Sequence, residues 1–160
     1  MKTRKLISAL IITVMALGIS EFSVEAKKTD EKPKYIFLFI GDGMGYAHVS
    51  AAESYLSYKE GKLGGAMLTM TQFPYFGTAT TYSANRYVTD SSAAGTAIAS
   101  GEKTDNGMLG VDPEGNPVKS IAYDLKEDGY QIGIISTVGI NHATPGSFYA
   151  NSASRSSYYD

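Results

Sequence analysis

The segment Tyr87-Val88-Thr89-Asp90-Ser91-Ser92-Ala93-Ala94-Gly95-Thr96-Ala97 sets a serine directly after a carboxylate, at the mouth of a run of tiny residues. Without bulky side chains, a backbone or a ligand can approach closely there. Serine is a weak nucleophile until a base or a metal ion takes its proton. The chain holds two histidines, His48 and His142, and neither lies near Ser91 in sequence. Metal activation is therefore the simpler expectation, and Gly41-Asp42-Gly43-Met44-Gly45 offers a ligand. A carboxylate on a glycine turn suits a hard or borderline cation. The same residue could equally cap a helix or a turn. Further on, Asn141-His142-Ala143-Thr144-Pro145 supplies an imidazole and a hydroxyl, and Arg155 supplies a guanidinium. That planar group is the side chain best shaped to grip a phosphoryl group through two hydrogen bonds. Singly, Ser91 could be a helix N-cap, Arg155 a solvated cation, His142 structural, and Thr144 part of an extended turn before proline.

The elements that must position these groups follow an alternating α/β pattern. Tyr35-Ile36-Phe37-Leu38-Phe39-Ile40 reads as a buried strand of a parallel sheet, which places Asp42 at a strand's carboxyl end, where ligands collect in open α/β sheets. Tyr46 to Lys59 has helix-compatible spacing and carries His48, read as structural; Gly61 to Gly65 breaks it. Leu68 to Phe73 is a short connector, and Tyr75 to Tyr82 has the threonine-rich alternation of a strand. Ser92 to Ala99 starts a helix that Gly101 ends, and Asp105 to Asn116 is rich in turn residues. Pro117 to Asp128 reads as an amphipathic helix stopped by Gly129, and Tyr130 to Val138 as the next strand, running into the His142–Thr144 segment.

Four segments in this order resemble the alkaline phosphatase family: Phe39-Ile40-Gly41-Asp42-Gly43-Met44-Gly45, then Tyr87-Val88-Thr89-Asp90-Ser91, then Thr96-Ala97 with Gly101-Glu102-Lys103-Thr104-Asp105-Asn106-Gly107, and finally His142-Ala143-Thr144-Pro145. The resemblance runs from Lys34 to about Arg155. It implies a three-layer α/β/α sandwich around a central, mostly parallel sheet, present here only in part. It implies hydrolysis of phosphate monoesters at alkaline pH through a phosphoserine, with two zinc ions and one magnesium ion. By the same resemblance Asp42 bridges one zinc and the magnesium, Ser91 is the nucleophile and Thr144 a magnesium ligand. Arg155 holds the substrate phosphate, and Asp90 orients that arginine. His142 stands where one branch of the family has aspartate and another histidine, beside the magnesium ligands. Most remaining zinc ligands and a magnesium-binding glutamate belong to later parts of the family's chains, so this chain is expected to be an N-terminal piece, inactive alone, and part of a homodimer at full length.

Physical chemistry favours such a residue set. The anionic oxygens of a phosphate monoester repel a nucleophile. Cations and an arginine neutralise that charge and stabilise what develops in the transition state. Rival motifs fit less well. Tyr46 takes the place of the last glycine of a dinucleotide-binding turn. Thr89 and Ala93 replace the two glycines of an α/β-hydrolase nucleophile elbow, and Ala93 also stands where sulfatases usually carry proline. A phosphate- or metal-binding remnant without turnover is the alternative.

The start of the chain reads as an export signal. Lys2, Arg4 and Lys5 precede an apolar run from Leu6 to Ile19, and Val24-Glu25-Ala26 offers a cleavage site after residue 26. The run is short for a membrane span, and no cysteine follows for a lipid anchor, so a periplasmic or extracellular protein without a stable membrane anchor is expected. Residues 27–34 form a charged, flexible leader, and 35–160 the catalytic segment. From Lys27 onward there are eleven basic and fourteen acidic residues, a balance that gives no case for nucleic-acid binding. The absence of cysteine removes disulfides, thiolate metal sites and cysteine nucleophiles.

Overall fold

The structure, a computed structural model, describes residues 32–157. The expected signal peptide and most of the leader therefore lie outside the described residues. The chain divides into two units after Phe39. In the first unit, residues 32–39 have irregular backbone, with the Tyr35 and Phe37 rings 6.5 Å apart.

The second unit begins with a reverse turn that carries Asp42. The Met44 N–H donates to the Gly41 carbonyl at 3.1 Å, and Gly43 sits at φ 72°, a conformation that only glycine adopts without strain. Helix α1 (Tyr46–Lys59) follows. His48 does structural work there: its Nδ1 accepts the Gly45 N–H at 3.1 Å, satisfying a donor that the helix itself leaves open. Glu53 ties α1 to a 3₁₀ turn (Thr69–Gln72), accepting from Thr71 Oγ1 at 2.6 Å and Leu68 N–H at 3.0 Å. Those two donors, Thr71 foremost, hold its carboxyl below the ordinary range.

Helix α2 (Ser91–Ser100) ends at Gly101, whose φ of 78° closes the last turn through a 2.9 Å bond to the Ala97 carbonyl. Helix α3 (Ile121–Glu127) starts four residues later than the expected Pro117, because Ser120 caps it by accepting the Ala122 N–H at 3.2 Å. Helix α4 (Ala143–Gly146) is one turn. The buried residues among those described are mostly small, Ala93, Thr96, Ala99, Thr104, Val111, Ala143 and Ser147, and Leu109 is the largest fully buried side chain.

Gly95 is what allows α2 and α4 to meet. A Cβ there would collide with the Ser147 hydroxyl and stand 3.1 Å from the Ser147 Cβ. Ser147 is buried and its hydroxyl is bonded to the Ala143 carbonyl at 2.8 Å, so it has little room to retreat. Gly95→Ala should cost about 1–3 kcal/mol in overpacking, against roughly 1 kcal/mol of improved helix propensity. A lower melting temperature for the variant of the full-length protein is the expected result; an equal or higher one would mean that Ser147 turns aside freely.

The three strands expected at 35–40, 75–82 and 130–138 are not formed among the described residues. These segments have irregular backbone, and Phe39, Tyr75 and Ile135 are 87 %, 90 % and 98 % exposed. Apolar runs of this kind become strands only when a neighbour accepts and donates along the edge. Two isolated antiparallel bridges, Leu109 with Ser152 and Val111 with Pro117, are the strand-like pairings present there.

Candidate active site

Asp90 organises the entrance to α2. It is the N-cap, a place the sequence offered to Ser91, and its Oδ1 accepts the Ala93 N–H at 3.0 Å. The Ser92 hydroxyl reaches both carboxylate oxygens at 2.9 Å, and the Gly107 N–H donates to Oδ2 at 2.9 Å. Arg155 Nη1 completes the shell at 3.2 Å from Oδ2. Partial burial pushes the Asp90 carboxyl up, but the donors from Ala93, Ser92, Arg155 and Gly107 outweigh it and hold the group below the ordinary carboxylate range. The stabilisation this gives is in place at and above that range and is lost only as the pH falls through the lowered value. Asp90 is therefore ionised under neutral and alkaline conditions.

With Asp90 as the cap, Ser91 becomes the first helical residue, and its hydroxyl is released from capping. It donates instead to Asp42 Oδ1 at 3.2 Å, across 49 positions of sequence. The Thr144 hydroxyl donates to the other oxygen, Oδ2, at 2.8 Å. One carboxylate thus gathers two hydroxyls from α2 and α4, and the close packing at Gly95 holds those helices together. All three side chains lie within the second unit.

Arg155 sits in a turn tied to Gly107 and Asp90. Its N–H donates to the Gly107 carbonyl at 2.6 Å, and the Leu109–Ser152 bridge anchors the chain just before it. The contact to Asp90 uses Nη1 alone, which leaves guanidinium donors for an anion. His142 is different. It precedes α4 as its N-cap residue without capping through its side chain, and its buried Nδ1 has no hydrogen-bond partner among the described residues. The structure therefore brings together Asp42, Ser91 and Thr144, and pairs Asp90 with Arg155, but shows no hydrogen bond joining the His142 ring to either group. Among the described residues no three His, Cys, Asp or Glu side chains gather as a metal site. Sequence reasoning missed Asn106, which bonds the backbone on both sides of Thr89. Its signal, an Asn-Gly pair, reads by itself only as a turn.

Known proteins share both the sequence and this arrangement of chain. The sequence model of one hydrolase family, alkaline phosphatase, matches residues 33–160. The human tissue-nonspecific alkaline phosphatase isozyme is 34 % identical over 154 residues, covering 88 % of this chain and 29 % of its own. Alkaline phosphatase 4 of Bacillus subtilis is 33 % identical over 170 residues, covering 94 % and 35 %. The crystal structure of a cold-active alkaline phosphatase from a psychrophilic Shewanella superposes with a TM-score of 0.68 at 36 % identity, over 74 % of this chain and 30 % of that one. The chain belongs to the alkaline phosphatase family. It spans about a third or less of the length of these relatives. A variant alkaline phosphatase from the Antarctic bacterium TAB5, 34 % identical with a TM-score of 0.56 over 66 % of this chain and 30 % of that one, was solved with Mg bound in its M3 site. No helix among the described residues is long and apolar enough to cross a membrane.

Proposed function

We propose that this chain carries the nucleophile, the phosphate clamp and part of the metal cage of a phosphomonoesterase that works through a phosphoserine at alkaline pH. The observation that carries the reading is the single carboxylate, Asp42, gathering the hydroxyls of Ser91 and Thr144 beside the Asp90–Arg155 pair. Ser91 Oγ attacks phosphorus and the ester oxygen departs with a proton. Water then attacks the phosphoserine, returning the serine hydroxyl and releasing orthophosphate. Arg155, oriented by Asp90, grips equatorial phosphoryl oxygens as charge shifts onto them. The N-terminus of the ten-residue α2 adds a favourable field for the anion.

The metal-facing donors fit in part. Asp42 and Thr144 present oxygen ligands suited to Mg²⁺, and Asp42 has a second oxygen to share with Zn²⁺. The orphaned Nδ1 of His142 supports a polar partner nearby, and we assign His142 to the surroundings of the magnesium rather than to its ligands. When bound, two zinc ions and one magnesium would acidify the attacking groups and neutralise the leaving oxygen. The ligands still needed would come from stretches of the family's length that this chain does not match.

The same reading includes an exported protein without a stable membrane anchor and, at full length, a homodimer and a three-layer α/β/α sandwich around a central, mostly parallel sheet. Family membership and the likeness to the Shewanella structure support the architecture. The test is phosphate release from p-nitrophenyl phosphate by the full-length gene product. In it, Arg155→Ala should raise the inhibition constant for orthophosphate about 10- to 100-fold while leaving bound metal unchanged. Unaltered phosphate inhibition would remove Arg155 from the clamp. A binding remnant is the second reading, favoured by the incomplete donor set among the described residues. It predicts orthophosphate binding without phosphate release.

A further inference from the structure

We propose that Asn106 is a positioning residue that holds the nucleophile turn and the arginine turn in one frame; the proposal rests on the phosphatase reading of the site. The Asn106 amide bonds the backbone on both sides of Thr89. Its Nδ2 donates to the Val88 carbonyl at 2.9 Å, and its Oδ1 accepts the Asp90 N–H at 3.2 Å. A residue of a parallel strand makes this same pair of bonds, its N–H to one residue and its C=O to the residue two further on. One side-chain amide thus replaces a missing strand neighbour just before Ser91, where the backbone turns into α2.

The main chain that carries this amide is itself fixed. The Asn106 backbone N–H donates to Asn85 Oδ1 at 3.0 Å, and that oxygen also accepts from the Ser83 hydroxyl at 3.3 Å. The next peptide carries the connection onward. The Gly107 N–H donates to Asp90 Oδ2 at 2.9 Å, and the Gly107 carbonyl accepts the Arg155 N–H at 2.6 Å. Residues 106 and 107 therefore hold Asp90 by its backbone and its carboxylate, and hold Arg155 by its backbone. Together with the direct 3.2 Å contact of Arg155 Nη1 with Asp90 Oδ2, these bonds tie the arginine turn to the residue just before Ser91. Nothing in Asn106 touches the reacting atoms: it acts through Asp90 and Arg155.

In the full-length protein, Asn106→Ala should lower kcat and raise the orthophosphate inhibition constant, each by about 10-fold or more per active site, since displacements of about 1 Å carry effects of that order. Deuterium uptake by peptides covering residues 86–92 should rise. A residue that only supported folding would reduce the amount of active enzyme and the melting temperature while leaving KM and the inhibition constant of the surviving enzyme unchanged. Values of kcat, KM and inhibition constant within about 2-fold of the parent would overturn the proposal. Where the alanine variant does not fold, Asn106→Asp decides by the same criteria, because it keeps the volume and the acceptor for Asp90 N–H but loses the donor to Val88. Parent protein that releases no phosphate from p-nitrophenyl phosphate would remove the phosphatase reading instead. Orthophosphate affinity and deuterium uptake at 86–92 would then decide the positioning role alone, with no change in either counting against it.

Discussion

Ser91→Ala should abolish phosphoenzyme formation and cut kcat in the full-length protein by about 10³- to 10⁶-fold, the range seen when an enzyme loses its nucleophile. The substitution removes one oxygen and leaves the helix start intact. Asp90, not Ser91, caps α2, and it keeps its bonds to Ala93, Ser92, Gly107 and Arg155. The hydroxyl's contribution to folding is its 3.2 Å bond to Asp42, at a partly solvated site, worth about 1 kcal/mol or less. Activity should therefore vanish in a protein that still melts normally and still binds orthophosphate through Arg155. Incorporation of labelled phosphate, read alongside a thermal melt, checks both halves. Phosphate covalently retained by the alanine variant would assign the nucleophile elsewhere.

That clean separation follows from a detail the sequence left open. A serine ahead of an alanine-rich helix is an ordinary N-cap, and so is an aspartate; here they are adjacent. Asp90 prevails because the cap position also lets its carboxylate meet Gly107 and Arg155, groups brought from 17 and 65 positions away. Local signals were enough for α1 and α2, where Gly45, Gly61 and Gly101 punctuate the chain. The apolar runs at 35–40, 75–82 and 130–138 read as strands for the opposite reason: their character is local, but a strand exists only through a ladder with its neighbours, and no strand is formed over these runs among the described residues. The site was legible mainly by resemblance. Asp42 and Thr144 are 102 positions apart, and no periodicity predicts that they share a hydrogen bond. Asn106 stands inside one of the resembling segments, but neither that match nor the segment's turn-rich composition assigns it a partner.

Asp42→Asn is the sharper probe of the metal assignment, because it changes charge and hydrogen-bond direction together at nearly constant volume. The carboxylate now accepts from two hydroxyls, Ser91 at Oδ1 and Thr144 at Oδ2. An amide replaces one of the two acceptor oxygens by an NH2 that only donates. One hydroxyl must then reverse and accept, so Ser91 and Thr144 no longer point at a common anionic centre. The loss of a full negative charge also lowers the attraction for any divalent ion held there, which no rearrangement of neutral groups replaces. In the full-length protein, affinity for the bound cation should fall at least about 100-fold, and kcat/KM should fall with it. Because Asp42 is exposed and its turn is closed by the Met44-to-Gly41 backbone bond, stability without metal should change by less than about 1 kcal/mol. Metal analysis after dialysis, together with activity measured over a rising Mg²⁺ and Zn²⁺ series, separates the two consequences. Partial recovery at high metal concentration would locate the damage in binding. A variant with parental metal content and parental rate would show that Asp42 is a turn residue whose hydrogen bonds to the two hydroxyls play no part in the chemistry.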